Sequence, residues 1–141
     1  MSEGAQTGKG CKVLKGVHFF QGTDSLRPES HYALDLLCEE LSNELSLKIE
    51  ISAHLDPEDC IGGCRELTRR MAMRIRDYLV ECGIPKSNMI AVGRGTEMPI
   101  DKGETYTAKE RNRRIEIRSL ERQATQSGSI LPDRFDPSQF K

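Results

Sequence analysis

The sequence predicts an α/β domain, a mixed β-sheet covered by two main helices. Three observations carry this expectation. Residues 47–55 alternate strictly between apolar and polar, the period of a strand. Two segments, around residues 34–45 and 64–82, repeat apolar residues at helical spacing. Strands and helices then alternate along the chain, which implies right-handed crossovers and helices packed against the sheet.

Taken in order, residues 1–11 are rich in Gly, Ser and Lys and read as a flexible lead-in. "KVLKGVHFF", residues 12–20, reads as the first strand, and "QGTDS", residues 21–25, as a turn. Pro28 fits the first turn of a helix whose buried face holds Leu34, Leu37, Cys38, Leu41 and Leu45. In residues 47–55, Leu47, Ile49, Ile51, Ala53 and Leu55 share one face, and Lys48, Glu50, Ser52 and His54 share the other, as in a half-buried strand. The second helix is expected from about Cys64 to Cys82, stopped by Gly83 and Pro85. "MIAVG", residues 89–93, suits a short central strand. Residues 94–111 are expected to form a long loop before "RRIEIRS", residues 113–119, a strand with Ile115 and Ile117 on its apolar face. Residues 121–141 lack periodicity and carry two prolines, so they read as an irregular tail, leaving one domain over 12–120.

Composition excludes several functions. Lys plus Arg number 21 against 22 Asp plus Glu, so no global field draws the chain to nucleic acid or to an anionic membrane. No apolar run approaches the roughly 20 residues that span a bilayer. The N-terminus lacks an apolar signal core, so the chain is expected to be cytosolic or a fragment whose export signal lies outside it. Of the five cysteines, Cys60 and Cys64 are close enough to pair in an oxidising compartment, and the sequence leaves that pairing open. Their CxxxC spacing is looser than that of most structural zinc sites and no second ligand pair follows, so neither metal nor cofactor is expected.

Five segments in order, "VHFFQGTDSLRPES", "ISAHLD", "LTRRMA", "VGRGTEMP" and "NRRIEI", together resemble the OmpA-like peptidoglycan-binding domain family of bacterial cell envelopes. "VHFFQGTDSLRPES" resembles the family's opening strand and turn, with Phe19, Gly22 and Leu26 at its marked positions. "ISAHLD" resembles its Gly-His-x-Asp strand end, and "LTRRMA" stands where it has Leu-Ser-x-x-Arg-Ala. "VGRGTEMP" resembles its Gly-x-Gly-x-x-x-Pro loop, and "NRRIEI" its Asn-Arg-Arg-Val-Glu-Ile strand. The resemblance implies a β-α-β-α-β-β mixed sheet and a non-catalytic role: anchoring a periplasmic, envelope-attached protein to peptidoglycan by gripping the diaminopimelate residue of the stem peptide. The family's grip uses the strand-end Asp, the helix Arg and the first Arg of Asn-Arg-Arg. A zwitterionic end needs an anion for its ammonium and a guanidinium fork for its carboxylate. By position these are Asp56, Met71 and Arg113, with Asn112 beside them, so the helix clamp is replaced by a thioether.

At about 100° per residue, Leu67, Met71, Ile75, Tyr78 and Cys82 form one apolar stripe, while Arg65, Arg69 and Arg76 lie opposite on a solvated face. Arg70, roughly 100° from Met71, is the neighbour whose long stem is a candidate substitute. Ala53, Leu55, Asp59 and Cys64 also depart from the family's Gly, Thr or Ala, Gly and Asn, all around the same loop. Structural roles stand beside the ligand roles: His54 as a hydrogen-bond partner, Asp56 as an Asx-type cap, Asn112 and Arg113 as anchors of the long loop, and Asp24 and Ser25 as a turn and helix-start signal. Two functions follow: a peptidoglycan anchor with a weakened hold, or a degenerate domain kept for structure or for contact with an envelope protein. Catalysis is not expected, since no Gly-x-Ser-x-Gly elbow or phosphate loop is present and Cys64 with His54 has no third orienting residue.

Overall fold

The computed structural model describes residues 11–60 and 64–120. Its elements are β1 (Cys11–Val13), α1 (Ser30–Ser42), β2 (Ile49–His54), α2 (Arg65–Glu81), β3 (Met89–Gly93), α3 (Tyr106–Asn112) and β4 (Arg114–Ser119), with single 3-10 turns at Pro57–Asp59 and Lys86–Asn88. The sheet order is β1-β4-β2-β3. β2 and β3 run parallel, as the intervening α2 crossover requires, and β4 is antiparallel to both β1 and β2.

Register places Ile51 of β2 opposite Ile117 of β4 and Ala53 opposite Ile115, so the inward residues of both strands form one apolar surface. Against it pack Leu34, Leu37, Cys38 and Leu41 of α1 and Met71, Ala72, Ile75 and Leu79 of α2. Gly93 shows how close α2 lies. A Cβ there would sit 2.3 Å from the Arg69 amide nitrogen and 2.6 Å from the Arg65 carbonyl oxygen, so only glycine lets helix and strand meet. A disulfide between Cys38 and Cys82 ties the C-terminal parts of the two helices together, and a second joins Cys60 to Cys64.

The mixed sheet and its two helices are as the sequence predicts, and several details differ. The first strand is only three residues long, because the chain turns at Gly16, whose φ of +84° is cheap only for glycine. Phe19 then bridges to Leu26, and the Ser30 hydroxyl pins His18 by accepting from its amide (2.7 Å) and donating to its carbonyl (2.9 Å). Cys11 belongs to β1 rather than to a lead-in. α1 starts two residues after Pro28, and Leu45 falls past its end, 54% exposed. β3 occupies a sheet edge, not the centre: Ile90 faces out and only Met89 and Gly93 are buried. The stretch expected to be a loop contains α3, started by Thr105, whose hydroxyl accepts from the Ala108 amide. Its only buried residues are Ala108 and Asn112, too few for an apolar period to show. Residues 1–10 and the predicted tail 121–141 lie outside the described residues. No described helix is long and apolar enough to cross a membrane.

Candidate functional site

β2 ends at His54, and the chain leaves the sheet through Asp56 into the Pro57–Asp59 turn. Asp56 Oδ2 accepts from the Glu58 amide (2.8 Å), while the Asp56 amide donates to Asp59 Oδ2 (2.8 Å). This reciprocal cap fixes the turn. The second oxygen of Asp56 accepts from Asn112 Nδ2 at 2.6 Å. Asn112 sits fully buried at the end of α3, its Oδ1 accepting from the amides of Ile100 and Asp101 and its Nδ2 donating also to the Asp101 carbonyl. The Asn112 amide is thereby saturated at both ends, and it clamps the 94–105 loop to the end of β2. Asp56 and Asn112 are thus brought together as a buried frame.

Arg113, one residue later, faces outward into a cleft of about 600 Å³. The cleft is walled by the segment from Val17 to Thr23, by Leu55, Leu67 and Met71, and by Tyr106, Glu110 and Ile115. Arg113 donates from Nε (2.9 Å) and Nη2 (2.7 Å) to the two carboxylate oxygens of Asp59, and from Nη1 (2.6 Å) to Glu110. These bonds, the Asp59 fork first, hold its pKa above the usual arginine value. Met71 lines the same cleft and is only 5% exposed, continuous with the core. Arg70 does not reach the cleft. Its guanidinium lies 3.6 Å from Asp24 and 3.6 Å from Glu66 on the exposed side of α2. Asp24, read from sequence as a turn and helix-start signal, lies in the turn before α1 and takes Arg70 and Arg74 as partners. Arg76, expected on the solvated face, is partly buried with its Nε buried.

On the opposite face of the sheet, the side expected to be solvated is closed over near His54. Arg114 donates to Glu116 (2.6 Å) and to the carbonyls of Asn112 and Met98, covering Ser52 and His54. His54 bonds the Ser52 hydroxyl through Nε2 (3.2 Å), a structural role. Burial, then the positive charges of Arg114 and Arg94, push its pKa down to about 3, so the imidazole is neutral. Glu116 lies 3.7 Å from His54, but its charge is engaged by Arg114. Around the cleft the Cys60–Cys64 disulfide joins the turn to the start of α2, with Cys64 in the left-handed region at φ +48°. No cluster of potential metal ligands occurs among the described residues.

Residues 18–113 match the OmpA family. The chain belongs to it. The OmpA-family domain is similar to "Outer membrane porin F" of Pseudomonas fluorescens, with 28% identity over 80% of this chain and 34% of that protein. It also resembles "Peptidoglycan-associated lipoprotein" of Pseudomonas aeruginosa, at 28% identity over 76% of this chain and 63% of that one. The chain thus spans about a third of the first relative and less than two-thirds of the second. Among solved structures, the C-terminal domain of Helicobacter pylori MotB superposes with a TM-score of 0.73 at 17% identity, covering 89% of this chain and 98% of that one. At that identity the likeness speaks for the fold. The OmpA-family domain is a binding and structural module, not an enzyme.

Sequence reasoning did not assign Asp59, a departure from a family glycine, to the ligand site, and it missed Glu110 and Tyr106 at the cleft. The sequence shows a carboxylate at Asp59 where the family has glycine, but nothing along the chain pairs it with Arg113. Glu110 and Tyr106 became cleft residues only because the 94–111 segment forms a helix.

Proposed function

We propose that this chain is the wall-facing module of a larger periplasmic envelope protein, holding peptidoglycan through a stem peptide seated in the cleft, with its hold on diaminopimelate weakened. The observation that carries this reading is that the Asp56–Asn112 frame is intact while the cleft beside it, with Arg113 on its wall, stays open. Met71 supplies an apolar contact in place of a charged clamp, and losing such a clamp typically removes about 2–5 kcal/mol of binding. Met71 and Arg113 on the cleft wall, positioned by the buried Asp56 and Asn112, are the residues we assign to this site; Arg70, held by Asp24 and Glu66, we leave out.

Pull-down with purified diaminopimelate-containing sacculi tests the proposal. Weak retention, strengthened several-fold by Met71→Arg, is the expected result. A second reading is favoured by the Asp59 fork on Arg113: a domain that has left wall binding and serves structure or contact with another envelope protein. On that reading, no sacculi are retained and Met71→Arg changes nothing.

A further inference from the structure

The cleft has the volume and apolar wall of a ligand site, but its charges are set against a carboxylate. We infer that its ligand is an aliphatic chain ending in a plain primary ammonium, the chemistry of a lysine side chain, rather than the zwitterionic end of diaminopimelate. The inference rests on the wall-binding reading and names the stem residue that the cleft would hold.

The first ground is that Arg113, the guanidinium on the cleft wall, is already engaged through all three nitrogens. The Nε and Nη2 edge of Arg113, which would fork a ligand carboxylate, is occupied by Asp59, and Nη1 by Glu110. Arg114 is buried against Glu116 and two carbonyls. Arg27 pairs with Glu29 and lies 4.9 Å from the centre of the Phe20 ring. A ligand carboxylate seeking the Arg113 fork would therefore have to displace Asp59. Because Asp59 Oδ2 also accepts from the Asp56 amide, that displacement would unmake the cap of the turn.

The second ground is the balance of charge. Asp59 and Glu110 carry two negative charges against the single positive charge of Arg113, so this cluster on the cleft wall has a net charge of −1. An ammonium compensates that excess without breaking an existing bond, whereas an added carboxylate meets repulsion. The third ground is shape. Leu55, Leu67, Met71 and Ile115 line the cleft, an apolar wall along which a methylene chain can lie while its charged tip reaches the carboxylates. Lysine and diaminopimelate differ by one carboxylate at that tip. Met71, where a second guanidinium would otherwise meet it, offers only a thioether.

Calorimetric titration of the full chain with two stem peptides, identical except for lysine or diaminopimelate at the third position, tests the inference. Pull-downs with sacculi of both chemistries run alongside. The lysine peptide should bind on the order of tenfold tighter. Asp59→Asn, which keeps an acceptor for the cap, should shrink that ratio, and Asp59→Asn with Met71→Arg should invert it. Glu110→Gln, on the exposed side of α3 and outside the cap, is a second variant that should lower lysine-peptide affinity several-fold. Equal affinity, or tighter diaminopimelate binding by the unaltered protein, overturns the inference and leaves the wall-binding reading standing. So does retention on sacculi of both kinds with no measurable binding of either peptide. Failure to retain either kind of sacculus removes both readings.

Discussion

Asn112 and Arg113 are consecutive, yet they serve two regions under different physical rules. Asn112 belongs to the buried frame, where each polar atom needs a protein partner and every bond is made. Arg113 belongs to the cleft wall, where it is partly exposed and its bonds to Asp59 and Glu110 set the charge of the surface. The difference teaches why the Asp56–Asn112 pair is fixed by the fold while the charges around Arg113 belong to an open surface. Frame residues hold the 94–105 loop to the end of β2, so replacing one costs stability; cleft residues set the charge and shape of the open surface.

The largest effect should come from breaking the frame. Asn112→Ala removes four hydrogen bonds and leaves the Asp56 carboxylate buried without its partner, so urea denaturation should show a loss of about 3–5 kcal/mol. Arg113→Ala should cost less, about 1–2 kcal/mol, because Arg113 is partly exposed, Glu110 can turn to water and Asp59 keeps its bond from the Asp56 amide. Equal costs would show that the two regions are not distinct in the way described.

The two disulfides close loops of very different length. Cys38 and Cys82 are 44 residues apart and Cys60 and Cys64 only 4, so loop-closure entropy assigns roughly 4 kcal/mol to the first and roughly 2 kcal/mol to the second. Replacing each pair by alanine and comparing melting curves checks the order. A larger loss at the short loop would show that loop length is not what separates the two bonds.

His54 adds a pH signature to the frame. Its folded pKa lies near 3 and its unfolded value near 6.5, so between these limits the unfolded chain binds a proton that the folded chain refuses. The stability from neutral His54 is full above about pH 6.5 and is lost as pH falls toward 3, with a slope approaching 1.4 kcal/mol per pH unit. Denaturation midpoints measured from pH 7 to 4.5 should fall less steeply in His54→Gln. An unchanged slope would place a proton on His54 in the folded state. The smallest effect belongs to the exposed Arg65–Glu97 pair, where Arg65→Ala should shift stability by no more than about 0.5 kcal/mol.

Much of the fold was legible. Leu34, Leu37, Cys38 and Leu41 were assigned to the core from helical spacing, and Ile49, Ile51 and Ala53 from strand alternation, because burial of one face imposes those periods directly. Gly83 and Pro85 marked the end of α2 for equally local reasons. β3 was misplaced because an apolar run of five residues looks the same at a sheet edge as at its centre; only pairing distinguishes them. The Cys38–Cys82 bond joins residues of two helices and has no local sign. The site was legible as a set of positions but not as a state of charge.

The sequence by itself determined the periods, the turns and the residues at the corner, including the thioether at Met71, because these depend on neighbours a few positions away. Tertiary structure alone decided which carboxylate meets which guanidinium. Asp59 and Arg113 are separated by 54 positions, and their fork exists only because the 94–105 loop, α3 and β4 bring Arg113 back over the turn after β2. Charge pairing over such a span is a property of distance in space, and residue spacing along the chain does not contain it.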